Sequence, residues 1–300
     1  MIIFKQAKPD LLLESSIALG FFDGIHLGHC SVIKTMLKKS QQLGVSSCVV
    51  TFTNHPLELL QNKKITSIIT LEKRLEIIQQ MGVDAVLLLD FTQELLSLSA
   101  ESYLKKILVD SLHPKCITVG FNHFFGANKK GDNKFLQDNA PRYGYEVICV
   151  PPVEYDSKVV SSSLIKKCLR IGDFEDISKY LGRDYSLDGE VVKGREIGRT
   201  IGFATANLLP KFDLEPVPNG VYSGWAVVQG KKYKAMINVG KAPTLKDGEI
   251  TIEAHLLNFD KDIYGQNIEV GFVHKIRDEK KFASKEDLIA QIKKDLESVR

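Results

Sequence analysis

Between residues 16 and about 150 the chain alternates short β-rich runs with segments of helical hydrophobic period, and this alternation limits the fold more than any other feature. The runs are SIALGFF (16–22), VSSCVVTF (45–52), DAVLLLDF (84–91), KCITVGF (115–121) and YEVICVPP (145–152). Between the first two, Val32, Ile33, Met36, Leu37 and Leu43 recur at helical spacing and Gly44 supplies the stop, which predicts an amphipathic helix. Leu71, Leu75, Ile78 and Met81, with Gly82 after them, predict another over 71–81, and a third is expected over roughly 100–110 behind Ser99. Strands alternating with helices of this length pair in parallel through right-handed crossovers, so this half reads as a doubly wound α/β sheet. Ligands of such sheets sit at the carboxyl ends of the strands. GFFDGIHLGH (20–29), TFTNHP (51–56) and GFNHFFG (120–126) each lie at or just after such an end and are expected to share one crevice.

After about residue 185 the texture changes. SLDGEVVKG, NGVYSGWAVVQ, KYKAMINVG, ITIEAHLLNF and NIEVGFVHKI are strand-like runs separated by Gly, Pro, Asp and Lys clusters, and nothing helical appears before SKEDLIAQIKKDL. There Ser284 caps, Asp287 completes the capping box, and Leu288, Ile292 and Leu296 line one face. The reading is two domains, 1–185 and 186–300, the second a compact β domain with a terminal helix; 300 residues allow both a sizeable core.

A net charge of +3, from 40 basic and 37 acidic residues, is too small to indicate nucleic-acid binding. Cys30, Cys48, Cys116, Cys149 and Cys168 are scattered and odd in number, so neither a disulfide framework nor a zinc site is suggested and a reducing cytoplasm fits. No apolar run approaches ~18 residues, which argues against a membrane span, and no secretion signal is found at the start. Nothing in the sequence sets an oligomeric state.

His26 and His29 bracket Gly28 at the predicted start of the first helix. Imidazoles there add hydrogen-bond donors to the exposed backbone amides and positive dipole end of the helix, and Gly28 lets a phosphate approach. Two surface histidines in a loop would give the same short pattern.

His26-x-Gly-His29 is accompanied by Thr51-Phe52-x-x-His55-Pro56, by Gly120-Phe-x-x-x-Phe125-Gly126 and by Ser161-Ser162-Ser163-x-Ile165-Lys166. With these motifs the sequence resembles the prokaryotic bifunctional riboflavin kinase/FAD synthetase family over nearly the whole chain. The resemblance implies a nucleotidyltransferase half, in which FMN phosphate attacks the α-phosphate of ATP and Mg²⁺ shields the charge. It also implies a second half that is an antiparallel β-barrel riboflavin kinase. By it, Gly20, Phe22, Asp23, Gly24, His26, Gly28, His29, Ser161, Ser162 and Lys166 would contact ATP, with His26 and His29 catalytic. His55, Pro56, Asn122 and Phe125 would face the flavin.

In the second half GREIGRTIGFATANL (194–208) resembles the family's glycine-rich loop and P-T-A-N element. There Gly194, Gly198, Gly202 and Thr205 would meet ATP, and Thr205 and Asn207 would hold Mg²⁺. Glu253 would take the proton from the riboflavin hydroxyl, and Asn258 and Arg277 would contact flavin. ATP, riboflavin, FMN and FAD are the small-molecule partners this implies. The sequence departs from the family pattern with Asn122 for Asp, His123 for an aromatic, Ser163 for Thr and Lys166 for Arg, and with Ala204 for Pro, Ala242 for Arg and Asn258 for Asp. A monofunctional FAD synthetase with a weakened kinase half, and a flavin or nucleotide sensor without catalysis, are the competing readings.

Overall fold

Every residue of Ser15–Leu19 (β2) is buried, and the N-terminal sheet extends to either side of that strand. The computed structural model describes residues 1–194, 202–208, 214–241 and 250–299. In it β1 (Ile2–Phe4), β2, β3 (Ser46–Phe52), β4 (Ala85–Leu89), β5 (Pro114–Gly120) and β6 (Glu146–Val150) form an all-parallel sheet in the order β1-β4-β3-β2-β5-β6. β2 and β4 are buried at every residue without alternation, as strands covered on both faces are. From β2 the chain steps to β3 and β4, then returns to lay β5 on the other flank of β2, and after β6 a short antiparallel pair, β7 (Glu154–Tyr155) and β8 (Lys158–Val159), follows. The reversal between β2 and β5 opens a crevice at their carboxyl ends.

Helix α1 (Leu27–Leu43) buries Val32, Ile33 and Met36 and ends at Gly44 with φ 65°. Leu43, expected on its apolar stripe, is 43% exposed in the last turn. Helix α2 is Pro56–Gln61, and α3 (Leu71–Gln80) is capped by Thr70. The helical run expected near 100–110 is present behind its Ser99 cap, with a π-type stretch over Tyr103–Val109. Several elements go beyond the sequence reading, α2 among them. β1 has only three residues and lies at the sheet edge with Ile2 59% exposed, and the helix Asn133–Tyr143 is polar, buries only Leu136 and carries Pro141 in its last turn.

The second compact unit begins at Ser162, ahead of the change in texture at 185. Helices Ser162–Ile171 and Phe174–Leu181 come with it because Phe174 stacks on Phe272 at 4.7 Å and meets Tyr222 edge-on at 5.3 Å. Its strands β9 (Tyr185–Val192), β10 (Ala206–Leu208), β11 (Gly220–Val228), β12 (Lys231–Lys241), β13 (Ile250–Leu256) and β14 (Asn267–Arg277) close an antiparallel barrel in the order β10-β13-β12-β11-β14-β9. The C-terminal helix Lys285–Glu297 is capped by Ser284 as predicted and packs Ile292 and Leu296 on Val221 and Met236.

Phe174, Tyr180 and Leu181 are each at most 2% exposed, and burying such a side chain contributes about 1.5–3 kcal/mol. A fragment of residues 162–300 is therefore expected to melt cooperatively, and one of residues 186–300 to lack a cooperative transition. Calorimetry of the two fragments checks this, and equal melting temperatures would contradict it.

Candidate functional site

The turn between β2 and α1 is held in an unusual backbone shape, with positive φ at Phe22 (58°), Gly24 (81°) and Ile25 (41°). Gly20 permits it locally, because a Cβ there would stand 2.9 Å from the Phe22 ring. Phe22 and Asp23 are buried, and Asp23 accepts from the Ile68 amide at 2.8 Å, so these two build the turn from inside. Gly24 packs against the Ile68 side chain.

At the exit of the turn His26 caps α1, its Nδ1 accepting from the His29 amide at 3.3 Å. An accepting Nδ1 on a neutral imidazole leaves Nε2 as the donor. The His29 ring stacks on that of His26 at 3.6 Å, and its own Nδ1 is buried without a protein partner. Burial first, then His26 and Arg74, hold the His29 pKa well below the usual imidazole value. A Cβ on Gly28 would lie 3.1 Å from the His26 ring and 3.7 Å from the Val160 carbonyl, so glycine lets the chain just before Ser161 reach the mouth of α1.

The other two motifs follow the strands on either side of β2, and the one after β3 contacts this turn. His55 caps α2 through Nδ1 to the Leu57 amide, with Pro56 in the first turn, and its ring lies 4.5 Å from that of Phe21. Arg74 of α3, 3% exposed, donates to the carbonyls of Phe21 and Phe52, both at 2.6 Å. After β5, Asn122 is exposed, whereas Phe125 is buried against Tyr103 at 5.3 Å and anchors its loop. His123 stacks on Phe125; its Nε2 is buried without a protein partner, and burial pushes its pKa down to about 4. The expected convergence of the three motifs at adjacent strand ends is thus observed. Ser162 opens the helix Ser162–Ile171 in the second unit, with Lys166 half-buried on it.

In the barrel, strand register aligns a polar row. Glu253 of β13 pairs with Asn207 of β10 on one side and Asn238 of β12 on the other, while its neighbours Ile252 and Ala254 are buried. Thr205 lies two residues before Asn207, and both line a cavity of about 200 Å³ with Phe259, Asp260 and Tyr264. Gly194 lies over Asn207, whose side-chain amide a Cβ there would strike. Gly202 has φ 88°; Gly198 and Ala242 lie outside the described residues. The carbonyl of Ala204 is 2.7 Å from His255 Nδ1, a tether where the family has a proline. Asn258 is exposed at φ 56°, a conformation asparagine tolerates. Arg277 is engaged structurally, donating from Nε and Nη2 to the buried Asp295 of the C-terminal helix.

A family model described as FAD synthetase matches residues 9–164, and one described as riboflavin kinase matches residues 181–300. Among similar proteins is the bifunctional riboflavin kinase/FMN adenylyltransferase of Buchnera aphidicola, 34% identical over 96% of this chain and 93% of its own. The protein of the same description from Listeria monocytogenes is 35% identical over 96% and 92%. The chain belongs to the bifunctional riboflavin kinase/FMN adenylyltransferase family. It therefore carries an FAD synthetase domain and a riboflavin kinase domain. A solved structure described as a macrolide-efflux protein from Streptococcus pneumoniae superposes with a TM-score of 0.90 at 31% identity, over 100% of this chain and 99% of that one. No helix among the described residues is long and apolar enough to cross a membrane.

The synthetase domain thus contains two buried imidazoles, His29 and His123, that resist protonation in the fold. Unfolding frees them to protonate below about pH 6.5, so the stability they leave intact at neutral pH is lost as pH falls from there towards 4. The melting temperature of this domain is expected to drop across that window, and less steeply in His123→Phe. Parallel slopes for the two proteins would contradict the burial of His123.

Proposed function

We propose that the N-terminal unit adenylylates FMN at the crevice beyond β2, β3 and β5, and that the barrel unit makes FMN from riboflavin at the Asn207–Glu253–Asn238 row. The substrates are ATP, riboflavin and FMN, and the setting is the cytoplasm. The stacked His26–His29 pair at the mouth of α1, with His29 Nδ1 buried and without a protein partner, carries the first assignment. As an oxygen of the FMN phosphate attacks the α-phosphorus and the bond to pyrophosphate breaks, charge spreads over the phosphate oxygens. His26 and His29, as neutral donors, and the amides of the first turn stabilise it in place. Asn122 and the exposed end of its loop face the flavin, with Phe125 as their anchor; Ser161, at the end of the unit, serves the nucleotide.

In the barrel, Glu253 takes the proton of the riboflavin 5′-hydroxyl as that oxygen attacks the γ-phosphorus and ADP leaves. Thr205 and Asn207 offer hard oxygens beside that carboxylate, a donor set that fits Mg²⁺, which retains several waters and binds few protein groups. Mg²⁺ there would neutralise charge on the phosphates. The His255 tether on Ala204 offsets the missing proline, which favours an active kinase over the monofunctional reading. The efflux description of the pneumococcal structure is outweighed by two family models that together span both units.

Given riboflavin, ATP and Mg²⁺, the protein is expected to form FMN and then FAD. Glu253→Gln should slow FMN formation by about 10²–10⁴-fold while still converting supplied FMN to FAD. Chromatography of the flavins checks both. FAD formed only from supplied FMN by the unaltered protein would make it a monofunctional synthetase, and FMN formed undiminished by Glu253→Gln would remove the assigned base.

A further inference from the structure

The apolar periodicity of α3 conceals its most consequential residue. Leu71, Leu75 and Met81, expected to form its buried face, are only half-buried, whereas Arg74 is 3% exposed. Burial pushes the guanidinium pKa down to about 10, with Asp23 opposing, so the group is a cation at neutral pH. Its Nη1 donates to the Phe21 carbonyl and its Nη2 to the Phe52 carbonyl, both at 2.6 Å, and its plane lies 4.4 Å from the centre of the Phe21 ring. Its Nε is buried without a partner. A methionine of similar reach would avoid both the buried charge and the orphaned donor, so stability alone is a poor reason for arginine here.

What the guanidinium supplies is a planar fork between two strand ends. Phe21 lies two residues beyond β2 in the turn that delivers His26 and His29; Phe52 ends β3 and leads to His55. Thr51 Oγ1 donates to the same Phe21 carbonyl at 3.0 Å, and the Phe21 ring meets His55.

We propose that Arg74 is a positioning residue for adenylyl transfer, fixing the His26–His29 turn against the His55 turn so that donors from adjacent strands address one phosphate. It touches no substrate, and its role rests on the reading that ATP phosphates bind at the mouth of α1. A shift of about 1 Å in such donors costs on the order of 10²-fold in rate.

The test compares wild type, Arg74→Met and Arg74→Lys in full-length protein, measuring kcat and KM for FAD formation from FMN and ATP, FMN formation from riboflavin, and melting. Expected is a fall in kcat of about 10²-fold in Arg74→Met with both KM values within about threefold, FMN formation unchanged, and partial recovery in Arg74→Lys, which keeps the charge but not the fork. Wild-type kcat in a folded Arg74→Met, or a change confined to KM, overturns the proposal. If Arg74→Met does not fold, Arg74→Lys decides: reduced kcat with normal melting supports the role, and unreduced kcat overturns it. A wild-type protein that makes no FAD overturns the reading of the crevice itself, and this role with it.

Discussion

Between Gly20 and Ile25 the chain holds positive φ at two non-glycine positions, a conformation that costs of order 1–3 kcal/mol each and persists only where the surroundings enforce it. The enforcement is visible. Arg74 and Thr51 converge on the Phe21 carbonyl, Asp23 takes the Ile68 amide, and the Phe22 ring is buried under Gly20. The gain is direction: the turn starts α1 and its pair of stacked imidazoles just beyond the carboxyl end of β2, at the sheet's reversal point. Burial, with His26 and Arg74 nearby, keeps the His29 imidazole from protonating readily, so the turn does not carry a second cation beside Arg74.

The barrel reaches its polar row by a different route. No strained turn is needed, because the register of three antiparallel strands puts Asn207, Glu253 and Asn238 side by side while the alternate residues fill the core. The support comes from the ends, where Phe174 packs on the aromatic core and Arg277 seats the C-terminal helix through Asp295. Arg277 thus serves the fold of its unit, and Asn258 makes a turn.

Much of this was legible in the chain. The β-rich and helical-period segments marked every strand of the parallel sheet except β1, which is too short and exposed to show a pattern. Capping residues placed α1, α3 and the C-terminal helix within a residue or two. The motifs carrying His26, His29, His55 and Asn122 follow adjacent strand ends because parallel strands put their carboxyl ends on one edge. Arg74 was not legible, since a buried cation inside a helical apolar pattern reads as surface until its carbonyl partners are known. Asn238 was hidden because cross-strand register is a tertiary fact. The second compact unit starts ahead of the change in texture at 185: the helices over 162–181 differ little in composition from those before them, and Phe174, packed on Phe272 and Tyr222, ties them to the barrel.

Adenylyl transfer is expected to depend on the imidazole pair at α1 and to be separate from the chemistry of the barrel. The most direct test is the rate of each half-reaction in His29→Ala, measured on the full chain with substrates supplied separately. FAD formation from FMN and ATP should fall by about 10²–10³-fold while FMN formation from riboflavin continues at the wild-type rate. Unchanged FAD formation, or equal loss of both reactions in a folded protein, would contradict it.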